Sequence, residues 1–305
     1  MISWSLFSPP PPPPPPPPTF DVNTLIGISL ALLAAAMNAV GVNLQRLGKR
    51  RGSATLSAAG VALATMCGAA DMASFSFAPQ SLLAPFASVG LVINLLLAPL
   101  MHSESVSMLD MLCTGMVMGG VAVCLATAAT ETPLRTVDEL AALATRPQFV
   151  AWLGVEAAVL AIASLRAKRG PTKSMATAVS YAVCAGVFGG FTVLNAKILT
   201  ECTRAGCAAS TLMAVAAAAG MCGVAQVTTL NTSVGIYSPL LVVPIFTATS
   251  LATNASGGGI FFEEYAAFSE RQLRVYPAGV ALLLTGVLLL ASKAPTPSSE
   301  AKKSA

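Results

Sequence analysis

Nine long runs of apolar residues make up most of the chain between residues 23 and 292. They are continuously apolar, without the alternation of a β-strand, and lie at 23–45, 55–77, 81–101, 108–129, 148–165, 176–199, 208–230, 239–261 and 275–292. A helix of roughly 20 apolar residues crosses the hydrocarbon core of a bilayer. Because a bilayer offers the backbone no hydrogen-bond partners, the pattern predicts an all-α integral membrane protein with about nine transmembrane helices.

The composition narrows the class of protein further. Of the 305 residues, 55% are hydrophobic and 10% are charged, whereas a soluble domain is about 25% charged. The formal net charge is only +4, and the basic residues fall in short separate clusters, unlike the basic face of a nucleic-acid-binding protein. We therefore expect the lipid bilayer as the partner, and no nucleic acid.

Residues for catalysis or for a resident cofactor are missing from the sequence. The seven cysteines form no Cys-x-x-Cys pair, the single histidine is His102, and there is no phosphate-binding loop. These absences exclude the usual zinc and iron–sulfur patterns. We expect neither an enzyme nor a bound cofactor. Cys202 and Cys207 flank a short loop and would pair only if that loop faces an oxidising compartment.

Polar tails flank the apolar region. Pro9 to Pro18 are ten consecutive prolines, which adopt an extended form and supply no helix. The sequence predicts a disordered tail at 1–22, a transmembrane domain at 23–292 and a disordered tail at 293–305. A ligand for a proline-binding domain is the alternative for the first tail.

The distribution of Lys and Arg predicts the orientation in the membrane. With the N-terminus outside, the inner loops and the C-terminal tail hold eleven of the 17 basic residues, and the outer loops hold five. The remaining one, Lys197, lies inside a span. We expect the N-terminus outside and the C-terminus inside.

One pattern occurs twice, in spans that would run in opposite directions. Pro79 and Pro85 mark the start of the third span, and Glu104 ends it nineteen residues after Pro85. Pro244 lies near the start of the eighth span, and Glu264 follows it by twenty residues. This pattern predicts an inverted repeat, as in many secondary transporters. The alternative is chance, since prolines often begin helices.

Three of the charged residues within spans are candidates for function, because a charge there is costly without a cavity or a partner. Asp71 is the first candidate for a cation ligand or a coupling proton; the alternatives are a pair with Lys197 or an interfacial acid. Glu156 lies midway along the fifth span, and both a functional role and a structural pair with another side chain stay open for it. Lys197 would neutralise Asp71, extend to the outer interface or bind an anionic substrate. Separately, Gly115-x-x-x-Gly119 and Gly186-x-x-x-Gly190 predict close helix packing.

Several of these motifs together resemble the NIPA-like magnesium transporters, which belong to the drug/metabolite transporter superfamily. The motifs are Phe77-Ala78-Pro79 with Pro85 and Glu104, Val137-Asp138-Glu139-Leu140, Lys197, Gln226-Val-Thr-Thr-Leu230-Asn231, and Pro244-Ile245 with Glu264. There are two departures: Glu156 has no counterpart in the family, and the second span differs from the family's pattern. Gly68 stands where the family usually has a glutamate, and Asp71, on the same helical face, stands where an asparagine is expected.

This resemblance implies Mg²⁺ transport by alternating access in a plasma or endosomal membrane, with Mg²⁺ as substrate and not as a cofactor. Asp71 would be the charged ligand, and Asn43, Gln226, Asn231 and Glu156 complete the candidate ion-binding set, with Lys197 as charge partner. Mg²⁺ favours such oxygen ligands and keeps several waters. A carrier of organic anions or metabolites, such as nucleotide sugars, and a non-transporting scaffold stay open, as does a homodimer.

Overall fold

The computed structural model describes residues 21–102, 107–128, 135–172, 174–237 and 239–292. These segments are helical, with α1 (Val22–Arg51), α2 (Ala54–Ser74), α3 (Gln80–Leu83), α4 (Val89–His102), α5 (Met108–Thr127), α6 (Val137–Ala144), α7 (Pro147–Arg169), α8 (Met175–Ala205), α9 (Ala209–Ile236), α10 (Pro239–Phe261) and α11 (Glu270–Ser292). Short 3-10 segments, Ala84–Ser88 and Glu264–Ala267, follow α3 and α10. The two predicted tails fall almost wholly outside the described residues, as does Glu104.

Each predicted span coincides with a helix in the described part of the chain. Among the described residues, eight helices are long and apolar enough to cross a membrane, the third being Gln80–Leu97, which joins α3, the 3-10 segment and the first part of α4. The other, α10, has the length of a span at 23 residues, but threonine, serine and asparagine side chains make its second half more polar. The all-α membrane architecture is confirmed.

Helices approach each other closely at glycines. A Cβ atom built on Gly186 or Gly190 of α8 would come within 2.5 Å of a threonine Cβ of α10, so this packing motif is confirmed. The prediction of close packing at Gly115-x-x-x-Gly119 is wrong. A Cβ on Gly115 would meet nothing within 4 Å and one on Gly119 would make an ordinary contact, whereas one on Gly120 would come within 2.6 Å of a leucine Cβ of α11.

The prolines of the predicted repeat occupy different positions in their helices. Pro79 is the N-cap of α3, Pro85 lies in the 3-10 segment, and Pro244 lies inside α10, which begins five residues earlier. The start of α3 nevertheless lies against the end of α10, since the Gln80 N–H donates to the Glu264 carboxylate. The two copies therefore run antiparallel.

The orientation expected from the basic residues, with the N-terminus outside, defines an outer and an inner end of the helix bundle. The predicted outer end is where α2, α8 and α10 end and where α3 and α11 begin; the predicted inner end is where α1 ends and α2 begins. The segment between the fourth and fifth predicted spans contains α6, which buries Leu140 and Leu143 against Phe149 and Phe261 at the predicted outer end.

Candidate functional site

Lys197 lies at the centre of a buried polar cluster near the predicted outer end, with 1% of its side chain exposed. Its Nζ is 3.0 Å from Oε1 of Glu201, one turn further along α8. It also donates to the carbonyl oxygens of Phe75 and Ala78, at 2.6 and 3.3 Å, in the turn between α2 and α3. Three oxygen atoms therefore surround the ammonium, and the lysine joins α8 to that turn.

This placement of Lys197 differs from each of the roles expected from the sequence. Helix α8, the sixth span, runs to Ala205 rather than ending near residue 199. Lys197 therefore lies about two turns inside the helix end and does not reach an interface. Its ion-pair partner is Glu201, not Asp71. Since its donors are directed at protein oxygens, it is not presented to an anionic substrate in this conformation.

The Glu264 carboxylate caps the start of α3. The backbone N–H groups of Gln80 and Ser81 donate to its two oxygens at 2.8 and 2.6 Å. An anionic group at a helix N-terminus satisfies otherwise unpaired N–H groups and is favoured by the helix dipole. Beside it, the hydroxyl of Tyr276 in α11 donates to the Ser81 carbonyl at 2.8 Å. Glu264 and Tyr276 thus hold the third span against α10 and α11.

Two buried amides meet where the third span crosses α10. The Gln80 side-chain amide donates to both the side-chain oxygen and the backbone carbonyl of Asn254. The Oε1 atom of Gln80 and the hydroxyl of Ser81 are buried without a hydrogen-bond partner among the described residues.

Sequence reasoning missed four members of this cluster: Glu201, Gln80, Asn254 and Tyr276. One signal was available, because Lys197 and Glu201 are four residues apart, the spacing that brings side chains together on a helix. The others carry no charge at neutral pH, and only the fold shows that they are buried together.

Asp71 lies three residues before the end of α2, at the same predicted outer end, and is half-buried. It follows Gly60 by eleven residues, almost three full turns, so both lie on one face of α2. That face packs on α1, since a Cβ on Gly60 would come within 2.6 Å of the Gly41 carbonyl. Neither an ion pair nor a side-chain hydrogen bond reaches the Asp71 carboxylate from the described residues.

The structure does not bring the expected oxygen ligands to Asp71. Asn43 lies eight residues before α1 ends and Asp71 seventeen residues after α2 begins, which separates them by about 14 Å along the bundle axis. Asn43 is buried and its amide donates to Asn94 at 2.6 Å. On α9, Gln226 is half-buried and Asn231 is exposed, and both lie toward the predicted inner end.

Glu156 faces α10. It is half-buried in α7, and the Thr253 hydroxyl donates to its Oε2 at 3.4 Å. One turn earlier, the Trp152 indole donates to the Ser256 hydroxyl at 3.1 Å. These contacts give Glu156 a structural partner between α7 and α10 and place it away from Asp71.

Within the described segments no group of three or more His, Cys, Asp or Glu side chains is arranged to hold a metal ion. A cavity of about 550 Å³ opens between α2, α8 and α9 beside the Lys197 cluster. Ser76, Thr200 and Arg204 are among its lining residues, and Arg204 is also 3.4 Å from Glu201. The cavity therefore reaches the edge of the cluster.

Comparison with known proteins identifies relatives of this chain. A probable magnesium transporter, NIPA8 of Arabidopsis thaliana, is 25% identical over 240 residues, which cover 72% of this chain and 54% of that protein. Another, NIPA6 of the same plant, is 22% identical over 230 residues, 73% of this chain and 69% of that protein. The chain thus spans about half the length of the first relative. No solved structure matches it.

The model of the family described as Magnesium transporter NIPA matches residues 21–295. This match takes in all the described helices, including the third span, the Lys197 cluster and Asp71. The chain therefore belongs to the NIPA magnesium transporter family.

Proposed function

We propose that this protein transports Mg²⁺ across a membrane by alternating access between its two inverted halves. Asp71 is the observation that carries the proposal: a half-buried carboxylate within span α2 that no described cation neutralises. Such a group inside a membrane is a functional candidate by default. Mg²⁺ binds through one or two carboxylates and keeps several waters, which suits a lone carboxylate near the predicted outer end. Membership in the family and the names of both relatives support Mg²⁺ as the ion.

The alternatives receive less support. A carrier of organic anions needs a cation directed at its substrate, whereas Lys197 is enclosed by three protein oxygens. A scaffold that acts through the proline-rich tail draws no support from the described residues. We further propose that this multi-pass protein lies in the plasma membrane or an endosomal membrane and has no enzymatic activity. A homodimer is the assembly to be tested.

Uptake of Mg²⁺ into proteoliposomes tests the proposal. We expect saturable uptake by the wild type and a loss of at least about tenfold in Asp71→Asn, which keeps the size of the side chain and removes its charge. Asp138→Asn is the matched control, because Asp138 is an exposed aspartate of α6, outside the spans. Uptake by folded wild-type protein that equals that of empty liposomes would contradict Mg²⁺ transport. Equal uptake by the wild type and Asp71→Asn would remove Asp71 from the path.

A further inference from the structure

The oxygen atoms around the Lys197 ammonium form a cage suited to a cation. Two backbone carbonyls, of Phe75 and Ala78, and the Glu201 carboxylate lie 2.6 to 3.3 Å from Nζ. Glu264 belongs to the same buried cluster, where it accepts from the N–H groups of Gln80 and Ser81 just after Ala78. Carbonyl and carboxylate oxygens of this kind are the ligands that hard divalent cations take.

The charge of the cage depends on the lysine. Glu201 and Glu264 contribute two negative charges, and Lys197 and Arg204 contribute two positive charges, so the cluster is neutral with the ammonium in place. Without the ammonium it would carry a net charge of −1 in a nearly dry environment, where uncompensated charge is costly. A cation in the cage removes this cost, and in this conformation the chain supplies its own.

We propose that the cage formed by the Phe75 and Ala78 carbonyls and the Glu201 carboxylate is an outer cation-binding site from which an entering divalent cation displaces the Lys197 ammonium. The adjacent cavity lined by Ser76 and Arg204 gives an ion a route to its edge. Displacement would also release the link between α8 and the turn after α2, so ion entry and loosening of the predicted outer end are one event. The identity of the ion as Mg²⁺ rests on the proposed function.

The Lys197→Met variant provides the main test. Methionine keeps the length of the lysine side chain as far as Cε, with sulfur in place of Cδ, and lacks the ammonium. At Mg²⁺ concentrations too low to displace the ammonium of the wild type, we expect purified Lys197→Met protein to bind about one more Mg²⁺ per chain than the wild type, measured by isothermal titration calorimetry. The double variant Lys197→Met/Glu201→Gln should lose this additional binding. A folded Lys197→Met protein that binds no more Mg²⁺ than the wild type overturns the proposal.

Two controls separate the cage from general charge effects. Lys197→Arg keeps a cation in the cage and should gain no Mg²⁺ site. Lys168→Met removes an exposed lysine at the far end of α7 and changes the net charge of the chain by the same amount, so it should also gain none. A gain in either control would show that the additional binding does not arise from the vacated cage.

A second measurement needs no substitution, in case Lys197→Met does not fold. In the wild type, a small amine-acetylating reagent should modify the buried Lys197 slowly, and rising Mg²⁺ should accelerate that reaction several-fold as the ammonium leaves the cage. Mass spectrometry of the peptide that contains residue 197 gives the rate, with potassium chloride matching the ionic strength. A rate independent of Mg²⁺ overturns the proposal.

These outcomes can be distinguished from failure of Mg²⁺ transport. If the wild type shows no Mg²⁺ uptake but Lys197→Met gains a Mg²⁺ site, the cage stands as a cation site and the transport proposal falls. If the wild type transports Mg²⁺ but neither binding nor acetylation responds as expected, transport stands and the cage proposal falls.

Discussion

At the scale of single residues, the buried polar groups differ in whether they have partners, and this difference decides which substitutions matter. Tyr276 and Tyr237 are both buried, with 3% and 4% exposed. The Tyr276 hydroxyl donates to the Ser81 carbonyl, whereas the Tyr237 hydroxyl has no partner in the described part of the chain. Removing a buried hydroxyl that donates a hydrogen bond leaves its acceptor unpaired, whereas removing a buried hydroxyl without a partner leaves no acceptor unpaired.

We therefore expect opposite results from two identical substitutions. Tyr276→Phe should lower the free energy of unfolding by about 1–2 kcal/mol, because the Ser81 carbonyl is left buried without a donor. Tyr237→Phe should leave it unchanged or raise it slightly. Reversible unfolding of purified protein in mixed micelles gives both values. Equal losses in the two variants would show that the hydroxyl contact of Tyr276 does not stabilise the fold.

Two neighbouring glutamates allow a second comparison at this scale. Glu264 is buried and accepts two backbone hydrogen bonds at the start of α3, whereas Glu263 forms an ion pair with Arg146 in which both side chains are exposed by more than a third. Exposed ion pairs contribute about 0–1 kcal/mol.

Glu264→Gln should therefore destabilise the protein by about 1–3 kcal/mol, because the glutamine amide group cannot accept the second N–H. Glu263→Gln should cost less than about 1 kcal/mol. Thermal unfolding of both variants in detergent provides the comparison. A larger loss for Glu263→Gln than for Glu264→Gln would show that the cap is not the stronger contact.

At the scale of elements, the sequence predicted the spans better than the contacts between them. Continuous apolar runs predict helices because the bilayer forces the backbone to satisfy its own hydrogen bonds. Contacts depend on how each helix is rotated, which a motif alone does not specify. Gly115 and Gly119 matched a packing motif, yet Gly120 makes the close contact with α11.

The candidate site was harder to predict for the same reason. Asp71 and Lys197 were identified as charges within spans, but the partner of Lys197 follows from the length of α8 and from two carbonyls in the turn at 75–78. Backbone carbonyls carry no sequence signal. Similarly, nothing in the sequence brings Gln80 and Asn254 together, because their contact requires the third span to cross α10.

Two glycines test how far packing rather than sequence motif determines stability. A Cβ on Gly190 would come within 2.5 Å of α10, while one on Gly115 would meet nothing within 4 Å. Gly190→Ala should thus destabilise by about 1–3 kcal/mol through overpacking. Gly115→Ala should be neutral or stabilise by up to about 1 kcal/mol, because alanine has the better helix propensity. Unfolding in mixed micelles distinguishes them, and equal effects would contradict the packing described here.

At the scale of the whole molecule, polar contacts join the half formed by α1–α7 to the half formed by α8–α11 at the predicted outer end. Lys197 contacts the turn after α2, Glu264 caps α3, Gln80 contacts Asn254, Tyr276 contacts Ser81, and the Gln272 amide donates to the Thr127 carbonyl at 3.1 Å. Alternating access requires these contacts to break when the predicted outer end opens. The proposed displacement of Lys197 by an ion would release one of them.

This mechanism depends on which side of the membrane holds the Lys197 cluster, and the basic residues predict that it faces outward. Asp138 in α6 and Lys168 near the end of α7 are both exposed and lie at opposite ends of the bundle. In intact cells, a membrane-impermeant maleimide should label Asp138→Cys but label Lys168→Cys only after permeabilisation. The wild type measures the background from the seven native cysteines. The reverse pattern would invert the orientation, so the cage would then receive its cation from the cytosol and the cluster would close the inner side.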